Sequence, residues 1–225
     1  MGKRNRLSPT KTSAFLNYPD LSKFEFSRHR VGGNGHRIIY PGTISRHHGL
    51  DIAIKAMVYI KERIPDVEFY IYGRSGSEEY YAYLACLIDQ LDLKKTVQIL
   101  DPVSHEELKE IYRSADLGIV PKRGGVFASE AFSTKIFDFF ASGLPVVLSR
   151  TAIDEHYFDD SLVKFFEPED EKGLAEAVVA VMGDESLRQK LIENGFRYAS
   201  ENSLDKKKQE YLDLVDSLCG HKRKS

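Results

Sequence analysis

"RIIYPGTISRHHGLDIAIKAMVYIKERI", residues 37–64, carries two periodicities in one stretch. Its opening, "RIIYPGT" (37–43), is a short apolar run that ends in Pro-Gly, the signature of a strand leaving a sheet. From Leu50 to Ile64 the apolar residues recur at helical spacing, and Pro65 closes the run. Strand, loop and helix therefore follow one another within 28 residues.

Moving outward, the same alternation repeats. "VEFYIYG" (67–73) reads as a second strand, and "EEYYAYLACLIDQLDL" (78–93) as a second helix. "TVQIL" (96–100) is a third strand. "SHEELKEIYRSA" (104–115) opens with a capping box from Ser104 to Glu107, and "DLGIVP" (116–121) follows as a fourth strand. "STKIFDFFASG" (133–143) is a short helix stopped by Gly143, "LPVVLS" (144–149) a fifth strand and "SLVKFFE" (161–167) a sixth, after which helices close the chain. Strands alternating with helices of ten to fifteen residues predict right-handed βαβ units. The expected fold is α/β, a Rossmann-like, doubly wound parallel sheet of about six strands with helices on both faces.

At 225 residues and 42% hydrophobic content the chain suffices for one large domain with a buried core. A formal charge of −2 argues against a dedicated nucleic-acid surface. That charge is uneven. Residues 1–37 hold eight Lys/Arg against Asp20 and Glu25, a net of +6 that leaves −8 for the rest. We read residues 1–36 as a solvated basic tail, 37–202 as the folded domain and 203–225 as a C-terminal helix with a basic tail; peripheral contact with an anionic membrane is the alternative use of the basic arm. Two distant cysteines, Cys86 and Cys219, fit a reducing compartment, and the sequence offers neither a signal peptide nor an apolar run long enough to span a bilayer. A cytoplasmic protein is expected.

In a doubly wound sheet, ligands sit beyond the carboxyl ends of the strands. The loops there are "PGTISRHHG" (41–49), "GRSGSEE" (73–79), "PKRGGVFASEAFSTK" (121–135) and "SRTAIDEH" (149–156), three of which combine glycine with arginine or lysine. Glycine permits close backbone approach and cations suit phosphate, so a phosphorylated ligand is expected; turn-making is the bland alternative for each glycine. Neither G-x-G-x-x-G nor a P-loop occurs, which removes nicotinamide dinucleotides and P-loop chemistry. No His/Cys/Asp/Glu group has metal-ligand spacing, and no metal or other cofactor is expected. Within the fourth loop and its helix, Ser133 or Thr134 serves as N-cap, Lys135 as phosphate clamp, and Asp138 as acceptor for sugar hydroxyls, with Glu130 in the preceding loop. A Lys135–Asp138 surface pair is the competing reading.

Taken together and in order, "IIYPGTISRHHGLDIAIKAM", "IPDVEFYIYGRSG", "VQILDPVSHEELKEIYRSADLGIVP", "STKIFDFFASGLPVVLS" and "FFEPEDEKGLAEAVVAVMGDESLRQKLIENG" resemble the C-terminal, nucleotide-sugar-binding domain of GT-B glycosyltransferases, specifically the family-four retaining enzymes, over about residues 36–218. "NYPD" (17–20) resembles that family's entry into the interdomain linker. The resemblance implies that Glu130 lies near the donor sugar and Asp138 on the ribose, at positions where the family has two glutamates seven residues apart. It implies that Ser133, Thr134 and Lys135 hold the donor diphosphate, that Gly42 is the first-loop glycine, and that Gly73, Arg74 and Gly76 lie close to the donor. Where many members carry a first-loop arginine and lysine, this chain has Thr43 and His48; Arg46, Arg123 or Lys135 are the candidates to supply the charge.

The activity implied is transfer of a sugar from a nucleotide-diphosphate donor, with retention and without a metal, to an acceptor glycan, lipid or small molecule. A GT-B enzyme has two such domains, so the acceptor would be held by an N-terminal domain or partner subunit that this sequence does not show, and the chain alone is expected to be inactive. A non-catalytic nucleotide-sugar-binding module or split-enzyme subunit, and more distantly a sugar-nucleotide epimerase, are the alternatives.

Overall fold

The computed structural model describes residues 15–24, 26, 36–125 and 131–219. Its six strands are β1 (Arg37–Pro41), β2 (Glu68–Tyr72), β3 (Val97–Leu100), β4 (Leu117–Val120), β5 (Val146–Ser149) and β6 (Lys164–Phe166). They form one parallel sheet in the order β3-β2-β1-β4-β5-β6. The helices are α1 (Leu50–Arg63), α2 (Glu78–Gln90), α3 (His105–Ser114), α4 (Lys135–Ala141), α5 (Ala152–Tyr157), α6 (Glu171–Gly183), α7 (Glu185–Glu201) and α8 (Leu204–Cys219).

The central strands are covered on both faces, which is why they read as unbroken apolar runs rather than alternating ones. Ile38, Ile39 and Tyr40 of β1 and Val146, Val147 and Leu148 of β5 are fully buried. Helices α1, α2 and α6 build the core on one face, while α4, α7 and the aromatic residues Phe137, Phe139 and Phe140 build it on the other. Close packing there has backbone requirements: a Cβ on Gly118 would meet the Phe139 ring at 2.7 Å, and one on Gly195 the Phe140 ring at 2.6 Å.

Four details differ from the sequence-based expectation. The sixth strand spans only Lys164–Phe166, because Asp159 captures the Ser161 amide and hydroxyl (2.8 and 2.6 Å) and turns the chain until Val163. Helix α4 starts at Lys135, two residues late, with Thr134 at the N-cap making no side-chain cap bond. Helix α5 occupies what looked like plain loop after β5. Finally, residues 16–24 are packed rather than solvated: Tyr18 stands edge-on to Phe137 at 6.1 Å, Phe24 lies 6.5 Å from Tyr112, and the Leu204 amide donates to the Pro19 carbonyl at 2.9 Å. Leu16, Tyr18, Leu21 and Phe24 pack against the core, and with Asp20 balancing Lys23 this segment does not share the basic character of the arm as a whole. Helix α8 forms where expected but buries no residue, and it leaves Tyr211 and Leu218 (78% exposed) on the surface.

Candidate functional site

The strand order reverses between β1 and β4, so their carboxyl ends splay apart and leave a crevice. The β1 loop is fastened on both sides of it. Toward β2, the Gly42 amide donates to the Tyr72 carbonyl (2.8 Å) and the Ile44 amide to the Arg74 carbonyl (3.1 Å); a Cβ on Gly73 would stand 1.9 Å from the Gly42 carbonyl oxygen. Toward β4, Gly49 adopts a left-handed φ of +64° with the Pro121 carbonyl oxygen 1.9 Å from where its Cβ would be. The Arg123 amide also donates to the His47 carbonyl at 3.1 Å.

A cleft of about 520 Å³ opens beyond this frame, with Gly42, Thr43, Gly73, Arg74, Lys135 and Asp138 among the residues lining it. Its apolar wall is built from Tyr72, Pro102, Val103 and Leu108. An adjoining cavity of about 220 Å³ lies between His48, Lys122, Ser133 and Lys135.

Lys135 stands where the two meet. Its Nζ lies 4.7 Å over the centre of the buried Tyr40 ring and donates to Ser133 Oγ at 3.4 Å. Both contacts are with neutral groups. Burial first, and then the ammonium of Lys122, pull Lys135 down to about 8, with Asp138 only partly offsetting them. Asp138, one turn further on, is pushed up to about 6 by burial, against the influence of His105, Lys135 and a hydrogen bond from the Tyr112 hydroxyl. That bond links Asp138 to α3, so the carboxylate belongs to the cleft rather than to an isolated surface pair. His48 shares a 3.0 Å hydrogen bond between Nδ1 and Ser45 Oγ, and burial followed by Lys135 pulls it down, which leaves a neutral imidazole at pH 7.

Of the candidates from sequence, Gly42, Thr43, His48, Gly73, Arg74, Ser133, Thr134, Lys135 and Asp138 come together around these two spaces. Arg46 does not line either one: its guanidinium lies over the Tyr80 ring at 5.5 Å. Arg123 is committed elsewhere as well, paired with Asp51 and with Glu169 (3.4 Å) and donating to the Arg46 carbonyl (3.1 Å). Among the described residues nothing stands within 4 Å of a Cβ on Gly76. Glu130 lies outside the described residues. In the first turn of α4 the Ile136 and Phe137 amides already donate to the Ser133 and Thr134 carbonyls. Sequence reasoning passed over Tyr40, Tyr112, Lys122 and Asp154; the only signal was a tyrosine in place of an aliphatic residue in β1 and a lysine beside the more conspicuous Arg123. Among the described residues no three His, Cys, Asp or Glu side chains are grouped to hold a metal ion, and no helix is long and apolar enough to cross a membrane.

A family model described as glycosyl transferases group 1 matches residues 22–198. The chain belongs to that family. Among its group 1 relatives, D-inositol 3-phosphate glycosyltransferase of Corynebacterium urealyticum is 25% identical over 214 residues, covering 88% of this chain and 49% of the relative. An exopolysaccharide phosphotransferase of Streptomyces coelicolor is 29% identical over 197 residues, covering 84% and 20%. The chain thus spans about half or less of the length of these curated relatives. Solved structures share the fold: the C-terminal domain of a group 1 family glycosyl transferase (LpcC) from Francisella tularensis has a TM-score of 0.69 at 19% identity, covering 81% of this chain and 96% of that one. Anabaena Alr3699/HepE, solved in complex with UDP-glucose, has a TM-score of 0.73 at 18% identity, covering 82% and 49%. The architecture is that of one half of a GT-B glycosyltransferase.

Proposed function

We propose that this chain is the donor-binding domain of a retaining glycosyltransferase, which takes a nucleotide-diphosphate sugar in the 520 Å³ cleft and passes the sugar to an acceptor held by another domain or subunit. The observation that carries the reading is the position of Lys135: a cation whose direct contacts are the neutral Tyr40 ring and Ser133 hydroxyl, beside the φ +144° backbone of Gly42, at the point where the sheet reverses. An ammonium already separated from water gains more from a diphosphate than a solvated one does. Asp138, ionised above about pH 6, accepts hydrogen bonds from ribose hydroxyls while Tyr112 holds it in place. The wall of Tyr72, Pro102 and Val103 suits the flat face of a base, and the sugar extends past His48 into the smaller cavity. The UDP-glucose complex of a protein with this fold supports the ligand class.

Chemistry then rests on charge. As the bond from the anomeric carbon to the diphosphate breaks, negative charge grows on the leaving oxygen and Lys135 is placed to stabilise it, without a metal, while the sugar becomes oxocarbenium-like. Glu130 is assigned to the sugar by the family resemblance alone. Calorimetric titration with UDP, GDP and their sugars tests the donor site: saturable binding that collapses in Lys135→Ala is expected, and the absence of binding by the unaltered chain overturns the proposal. Radiolabelled sugar transfer, assayed with the acceptor-bearing domain of a group 1 relative, separates an enzyme half from a module that binds without transferring.

A further inference from the structure

A buried ion pair beneath the smaller cavity has no task in the site as described. Lys122, two residues past β4 and 4% exposed, places Nζ 2.5 Å from Oδ2 of Asp154, which is fully buried. The same Nζ donates to the Ala131 carbonyl at 3.0 Å, and Asp154 Oδ2 also accepts from the Thr151 hydroxyl at 2.5 Å. The other carboxylate oxygen, Oδ1, is buried and has no hydrogen-bond partner among the described residues. Desolvation costs several kcal/mol per ion at such a site, and well-packed apolar residues often serve stability as well or better. Burial pulls Lys122 down and pushes Asp154 up, and their mutual attraction opposes both. The pair is therefore an expensive way to fill space.

Its connections indicate what it is for. Lys122 leaves β4, Asp154 belongs to α5 after β5, and Ala131 lies four residues before Lys135. One ammonium thus ties the exits of two strands to the chain entering α4. We propose that the Lys122–Asp154 pair is a positioning device for Lys135: it clamps the Ala131 carbonyl so that Ser133 and Lys135 meet Gly42 at the cleft, and it sets a second fixed cation beneath them. The inference rests on the reading of Lys135 as the donor-phosphate cation. The charged and titratable groups facing Lys135 are Tyr40 from β1, His48 from the β1 loop, Lys122 from the β4 exit and Asp138 from its own helix. Burial is the largest influence on Lys135, but of these groups Lys122 opposes its protonation most, and Asp138 favours it.

Two double variants separate clamp from charge. Lys122→Met/Asp154→Asn removes both; Lys122→Gln/Asp154→Asn removes the charge but keeps a donor for Ala131. The first readout needs no ligand: trace labelling of amines with acetic anhydride across pH, with Lys135 followed by peptide mass spectrometry. In the unaltered chain Lys135 is expected to titrate at about 8. In both variants its titration moves to higher pH, and a half-unit rise makes it about threefold less reactive at pH 7. The second readout is UDP affinity at pH 7, which drops about tenfold in the Met variant and less in the Gln variant. An unshifted Lys135 titration in a folded variant overturns the inference, and if the Met variant shows no cooperative melt, the Gln variant decides. A chain that fails to bind UDP while Lys135 still shifts sinks the donor reading and leaves the coupling intact.

Discussion

A Cβ placed on Gly42 would stand 3.1 Å from Cε and 3.4 Å from Nζ of Lys135. The first-loop glycine and the α4 lysine are therefore fitted to each other, although 93 positions separate them in the sequence. Gly42→Ala presses on the lysine stem and places an L side chain at φ +144°. Strain of this kind costs roughly 1–3 kcal/mol, and each kcal/mol moves Tm by about 2–4 °C in a chain of this size. We expect a lower Tm in thermal melts together with weaker UDP binding in calorimetry.

Lys135→Ala removes a charge-assisted contact to the diphosphate, which is worth roughly 1.5–3 kcal/mol. The dissociation constant for UDP should rise about 10- to 150-fold, with Tm unchanged or raised, since a partly desolvated cation has been deleted. In a reconstituted transferase the loss at the transition state is larger, about 2.7–4 kcal/mol, and appears in kcat.

On the proposed reading, donor affinity should depend on pH through two opposed groups. Asp138 must be ionised, which requires pH above about 6, and Lys135 must be protonated, which requires pH below about 8. Binding of a UDP-sugar should plateau between these values and weaken on either side. The sugar nucleotide is the ligand to use, because a terminal phosphate titrates near pH 6 and would blur the acid limb.

Tyr112→Phe tests the support behind Asp138. The tyrosine hydroxyl bonds the carboxylate and helps to hold its pKa down. Without it the carboxylate retains its proton to higher pH, so the acid limb of UDP-sugar affinity moves upward while the limb set by Lys135 stays in place. Calorimetry at half-unit pH steps reads both limbs in one series.

Arg123→Ala distinguishes a brace from a clamp. It leaves buried Asp51 with the Tyr80 hydroxyl (3.0 Å) as its remaining side-chain hydrogen-bond partner and releases the β1 loop at the Arg46 carbonyl. Orphaning a buried charge costs about 3 kcal/mol or more, less here because Arg123 itself is partly exposed. We expect a clear fall in Tm, with UDP affinity in the folded fraction reduced far less than in Lys135→Ala.

Legibility in the sequence followed the range of the interactions. The six strands and their parallel order class were readable because each rests on a local apolar period, and the Ser104–Glu107 capping box appears as expected because both of its bonds close within one turn. The placement of Lys135 and Asp138 at the cleft was readable for a similar reason: they lie on a helix that follows a strand of the sheet. Arg46 and Arg123 looked like equal candidates, since nothing local reveals that Tyr80, Asp51 and Glu169 hold them away from the cleft. The packed segment from Leu16 to Phe24 was hidden by the basic residues on either side of it, and its partners Phe137, Tyr112 and Leu204 are more than 80 residues distant.

By itself the sequence determined the alternation of strands and helices, the class of sheet they form and the loops that follow the strands, because periodicity and turn chemistry act over a few residues. Only the tertiary structure decided that Lys135, and neither Arg46 nor Arg123, lines the cleft, and how it is held there. Lys135 owes its environment to Tyr40 beneath it, Gly42 beside it and Lys122 behind it, and these come together only when β1 and β4 lie side by side. Burial, which changes the charge of a lysine or an aspartate, is a property of the assembled fold and of no single stretch of chain.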